Sequence, residues 1–127
     1  MLHPRLARLP AREVAADAIV LEAGSFPSRL LGLARIGALE LPSGHALLLR
    51  PCSSIHTFGM RFPIDVAFAD REGTVLRVIR DVSGRQVTRC PAAAAALEAH
   101  TGELSRFLEG GRGAGARLRA GVLEPAS

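Results

Sequence analysis

The 127-residue chain has no lysine, asparagine, tryptophan or tyrosine, a single glutamine, two cysteines and five phenylalanines as its only aromatic residues. Two cysteines cannot staple a disulfide mini-protein. They need not, because a 13.4 kDa chain buries roughly two thirds of its unfolded surface and can hold a core unaided. Poverty in aromatics argues against a nucleic-acid module, which stacks bases on exposed rings. Without lysine, all 16 cations are arginine, a usage that codon bias in a GC-rich bacterial genome explains most simply. The pI of 10.8 then reflects which cation is used as much as how many there are, since the net charge is only +4. Long apolar runs are also missing: Leu41 to Leu49 and Cys90 to Leu97 are too short to span a bilayer, and Ala18 to Leu21 is cut by Asp17 and Glu22 and makes no signal centre. The expected location is the cytoplasm, with Cys52 and Cys90 as free thiols.

What is present divides into an arm, one domain and a tail. Residues 1 to 17 form an Arg- and Pro-punctuated N-terminal arm, and residues 1 to 13 and 121 to 127 are expected to fray. Between them, 18 to 120 make a single domain. Ala18 to Ala23 is β-leaning, and Ser25 caps a short helix that turns Phe26, Leu30, Leu33 and Leu31 inward and stops at Gly37. Pro42-Ser43-Gly44 is a turn before the apolar run His45 to Arg50. Ile64 to Asp70 and Thr74 to Arg80 flank Arg71-Glu72-Gly73 as a hairpin with a three-residue loop. Pro91 and its five alanines have helical propensity, Arg112 to Gly115 is a Gly-rich loop, and Ala116 to Ala120 is a short final strand.

The least ordinary segment is Pro51-Cys52-Ser53-Ser54-Ile55-His56-Thr57-Phe58-Gly59-Met60-Arg61-Phe62-Pro63-Ile64-Asp65, followed by Val66 to Asp70, Gly73 and Val75. Together with Ser28-Arg29-Leu30-Leu31-Gly32-Leu33 upstream and Leu97-Glu98 with Gly102 downstream, it resembles the family of domain of unknown function 192 in its short cytoplasmic form. The resemblance implies a mainly β single domain, sandwich- or barrel-like, with one or two short helices and no assigned activity. It also implies that Ala94 to Ala99 is a buried strand despite its helical propensity.

Several chemistries can be drawn from this segment. Cys52, His56 and Met60 are soft ligand types that suit copper or zinc, with His45 as a possible fourth ligand. Their ordinary reading is structural, with Cys as a small buried hydrophobe, Met as gap filler and His capping a turn. His56 and Asp65 could form the base and orienting acid of a hydrolase, or Cys52 could be the nucleophile with His56 as its base. No serine sits in a nucleophile elbow, and Asp65, alternating with Ile64 and Val66, should face away from their side of the sheet. Arg29 beside Gly32, and Glu98 beside Gly102, suggest a buried Arg–Glu pair locking the helix to the sheet. The scattered arginines are interleaved with acids and form no basic stripe.

The reading that best fits these residues is a non-catalytic binding or accessory module. Its surface is the 52–65 loop, with His56, Met60, Arg61, Asp65 and Arg29 as ligand-binding candidates and Gly32, Glu98 and Gly102 as structural ones. A metal-binding protein using Cys52, His56 and Met60, and a small hydrolase using His56 and Asp65, are the alternatives. The expected partner is a small molecule or a protein rather than nucleic acid or membrane, the expected state a monomer or weak dimer, and no cofactor is expected.

Overall fold

The computed structural model describes residues 1–124; the last three residues of the expected C-terminal tail, 125–127, lie outside the described residues. The fold is mainly β. Its chain order is α1 (Pro4–Ala7), β1 (Ala11–Ala15), β2 (Ala18–Ala23), α2 (Phe26–Leu31), β3 (His45–Leu49), β4 (Ser54–His56), β5 (Ile64–Ala69), β6 (Val75–Val82), β7 (Val87–Arg89), β8 (Ala95–His100), β9 (Leu108–Glu109) and β10 (Arg117–Leu118). Single 3-10 turns lie at Ala38–Glu40 and Leu104–Phe107. No helix among the described residues is long and apolar enough to cross a membrane.

Six strands form one open sheet in the order β1-β2-β3-β8-β5-β6, antiparallel except for the parallel pair β2 and β3. That parallel pair needs a crossover, and the crossover carries α2. Strands β5 and β8 are buried on both faces along almost their whole length, which explains why they read as unbroken apolar runs rather than alternating ones. One face packs Val20, Leu48, Leu97, Leu104 and Phe107; the other packs Leu21, Leu33, Ile36, Leu47, Ile64, Val66 and Phe68. The alanine run at 95–99 is a strand because small side chains let both layers close on the centre of the sheet, where tertiary burial outweighs local propensity.

The hairpin at 64–82 forms around Gly73, whose φ of 86° suits glycine, with Asp70 Oδ1 accepting from the amides of Glu72 at 3.0 Å and Thr74 at 2.9 Å. Opposite Asp65, β6 inserts an extra residue: Ile64 pairs with Val82 and Val66 with Ile79.

The N-terminal residues do not fray. Leu6 is fully buried, β1 pairs with β2, and Arg5 donates to the carbonyls of Gly32 at 2.8 Å and Ala34 at 2.6 Å. The described end of the chain is held in the same way. Val122 is buried, Arg12 donates to the carbonyls of Gly121 and Val122, and Arg50 to that of Leu123. A pattern of arginines and prolines looks unstructured because the bonds that order it run to carbonyls as far as 110 residues away.

Candidate functional site

Helix α2 is only six residues long and begins at Ser25, whose hydroxyl accepts from the Ser28 amide while the Ser28 hydroxyl accepts from the Ser25 amide. It ends at Gly32 rather than Gly37, because Gly32 takes φ 50° and ψ −127°, a conformation other residues resist. Leu33 and Ile36, just beyond, are buried and anchor the crossover. The helix does not turn its own apolar residues inward: Phe26, Leu30 and Leu31 are exposed. Facing α2, the segment 52–58 is pinned by the small β4–β7 sheet, in which His56 stands opposite Val87. The buried Thr57 hydroxyl donates to the Gly84 carbonyl and accepts from the Gln86 amide.

Between these two walls lies a groove of about 630 Å³, within the range of small-ligand sites. Its rim is apolar. Among the described residues, five of the seven exposed large apolar side chains, Phe26, Leu30, Leu31, Phe58 and Val87, line it. Polar groups enter deeper, from Arg29, Cys52, His56 and Glu98. Three of these carry a buried polar atom with no hydrogen-bond partner: Arg29 Nε, His56 Nδ1 and Glu98 Oε1. Native proteins satisfy nearly all such atoms, so three along one groove are unusual.

Each of these groups is held in place. Arg29 Nη1 donates to the Pro51 carbonyl at 2.9 Å, which leaves the Nε and Nη2 edge of the guanidinium without a protein partner. His56 Nε2 donates to the Leu30 carbonyl at 2.8 Å, so in the neutral ring Nδ1 is an acceptor. Phe58 stacks on the His56 ring at 5.6 Å. Glu98 comes from the centre of the sheet, opposite Leu47 on β3 and Val66 on β5, and is 3% exposed. Burial pushes its carboxyl up to about 8, so it is largely protonated at neutral pH. Its Oε1 lies where a Cβ on Gly32 would approach to 3.2 Å, so glycine at 32 also makes room for Glu98. Burial likewise raises the Cys52 thiol above its usual range, hydrogen bonding with the Ser54 backbone and the charge of Arg29 oppose the shift, and Glu98 adds to it.

The fold divides the sequence-based candidates between the groove and other parts of the molecule. His56 and Asp65 are not brought together. Asp65 does not line the groove; it is buried on the sheet face opposite to Val66 and Glu98, and its carboxylate accepts from the amides of Asp81 at 2.7 Å and Gly102 at 2.9 Å. It satisfies the bulge in β6 and the turn after β8, which is also the structural role of Gly102, at φ 87°. Cys52, His56 and Met60 do not assemble as a ligand set: Met60 packs against the core outside the groove lining, and His45 opens β3 beside Ser43. Among the described residues, no three His, Cys, Asp or Glu side chains converge as a metal-binding group. Cys52 and Cys90 are free thiols. Arg61 is exposed and outside the lining. Arg29 and Glu98 line the same groove but form no ion pair, so the expected lock is absent and both groups face the groove without each other. Sequence reasoning missed the apolar rim, because Phe26 and Leu30 stand one helical turn apart and read as a core stripe.

The fold and groove define a small, mainly β domain built on a mixed six-stranded sheet, with a cleft at its β2-to-β3 crossover. The chain belongs to the family of domain of unknown function 192 (DUF192, uncharacterized ACR), whose model matches residues 11–117. Two solved structures share the fold. One is a candidate transcription regulator from Sinorhizobium meliloti, with 20% identity, 80% of each chain covered and a TM-score of 0.66. The other is a protein of unknown function from Novosphingobium aromaticivorans, with 17% identity, 92% of this chain and 89% of that one covered, and a TM-score of 0.68. No curated protein matches the chain.

Proposed function

We propose that this protein is a small-molecule binding module whose site is the groove between α2 and residues 51–58, with Glu98 at its floor. The observation that carries this reading is the convergence of the exposed apolar side chains around three buried, unpartnered polar atoms. Isolated apolar residues on a surface need no explanation, whereas a rim of five over a polar floor has the composition of a ligand site. Binding is favoured over catalysis because burial keeps the Cys52 thiol in the groove in its protonated form, and because Asp65 is occupied with backbone amides on the other face.

The neutral apolar dye N-phenylnaphthylamine tests the reading. Its fluorescence should rise on titration and saturate near one dye per chain. Leu30→Ser and Phe58→Ser, at exposed positions that tolerate substitution, should weaken binding several-fold without changing the melting temperature by more than a few degrees. A wild-type titration that never saturates overturns it.

A further inference from the structure

We infer that the groove takes a small monocarboxylate with an apolar body, its carboxylate seated on the free Nε and Nη2 edge of Arg29 and its body between α2 and Phe58. This rests on the binding reading above and assigns the ligand's chemistry. Among the described residues, Arg29 is the only arginine lining the groove, and the chain has no lysine. Its Nη1 is fixed on the Pro51 carbonyl, and Phe26 lies against the guanidinium with its ring centroid 6.0 Å from Cζ, so the fork is oriented before any ligand arrives. The edge without a protein partner, its Nε buried at the groove wall, presents two parallel donors at the spacing of two carboxylate oxygens. Among the described residues the only acid in the lining is Glu98, and burial keeps that carboxyl largely protonated, so it neither neutralises Arg29 nor repels an incoming anion. One arginine in a largely apolar cleft matches a ligand of one negative charge. A phosphate monoester dianion would bring a second charge, for which the described lining holds no second arginine. The remaining surface, from Phe26, Leu30, Leu31, Leu49, Ile55 and Phe58, suits a hydrocarbon chain or ring.

The test is competition against bound N-phenylnaphthylamine at neutral pH with octanoate, octanol, octylamine and octyl phosphate, which share a tail and differ in head. Octanoate should displace the dye at concentrations about tenfold below those of octanol or octylamine, the scale of one charge-assisted pair. Arg29→Gln should bring octanoate and octanol together while the dye still binds. Arg29→Lys, which keeps the charge but loses the fork, should fall between, and it serves as the second variant if Arg29→Gln fails to fold. The inference is overturned if octanoate is no better than octanol, if octylamine or octyl phosphate is the best competitor, or if the preference for octanoate survives in a folded Arg29 variant, all with the dye bound normally. Absence of dye binding would instead remove the binding reading itself.

Discussion

Glu98 is a carboxyl group removed from water without a counter-charge, and this has a consequence for stability. In the unfolded chain the group titrates at its ordinary value of 4.5; in the folded protein burial raises it to about 8. The folded state therefore holds one more proton than the unfolded state between those values, and stability falls as pH rises through that window and levels off above it. Replacing the carboxyl with a neutral amide removes the dependence. Glu98→Gln should flatten the fall in melting temperature between about pH 5 and pH 9, leaving the variant more stable than wild type at pH 9 by an amount that a calorimetric pH series would show. This residue was half legible in the sequence. Glu98 beside Gly102 pointed to a buried structural position, but its partner could not be read, because pairing with Arg29 and facing a cleft alone look identical in one dimension. His56 and Cys52 stood out in the sequence because soft and titratable side chains stand close together, which suggested a metal or a catalytic pair rather than the groove that both line. Asp65 shows the reverse, since an acid that opens a strand looks available until the bulge opposite it supplies an unpaired amide.

At the scale of elements, the strands at 45–49 and 64–82 and the strand nature of 95–100 follow from apolar runs, turn residues and the family resemblance. The cap of α2 follows from Ser25. The face of α2 does not, because a six-residue helix has too few positions for periodicity to separate core from rim, and its three apolar residues flank a site instead of filling an interior. The join between β6 and the turn after β8 rests on one carboxylate. Asp65→Ala would leave the Asp81 and Gly102 amides without their acceptor and should lower unfolding free energy by about 2–4 kcal/mol in urea titration, whereas Asp65→Asn, which keeps one acceptor oxygen, should lower it by about half as much. Neither substitution should alter dye binding, since Asp65 lies on the other face of the sheet.

For the whole molecule, the all-arginine composition acquires a structural meaning. Arg5, Arg12, Arg50, Arg106 and Arg119 each donate to a backbone carbonyl of another segment, and Glu22 sits between Arg12 and Arg50 at 2.9 Å from both. A planar guanidinium holds two carbonyls in a fixed fork geometry that the compact, freely rotating ammonium of lysine does not reproduce. Arg5→Lys should therefore lower unfolding free energy by about 1–2 kcal/mol in a guanidinium series, while Arg61→Lys, at an exposed side chain with no such bond, should stay within about 0.5 kcal/mol. The sheet order has a consequence in time. Because β8 lies between β3 and β5, a ribosome-bound chain that has just completed its hairpin offers two long apolar edges with nothing between them until residue 100 emerges. The same late strand that closes those edges delivers Glu98, so a nascent chain has no groove floor until the sheet is sealed, and a chain truncated before β8 lacks that floor and is prone to aggregate.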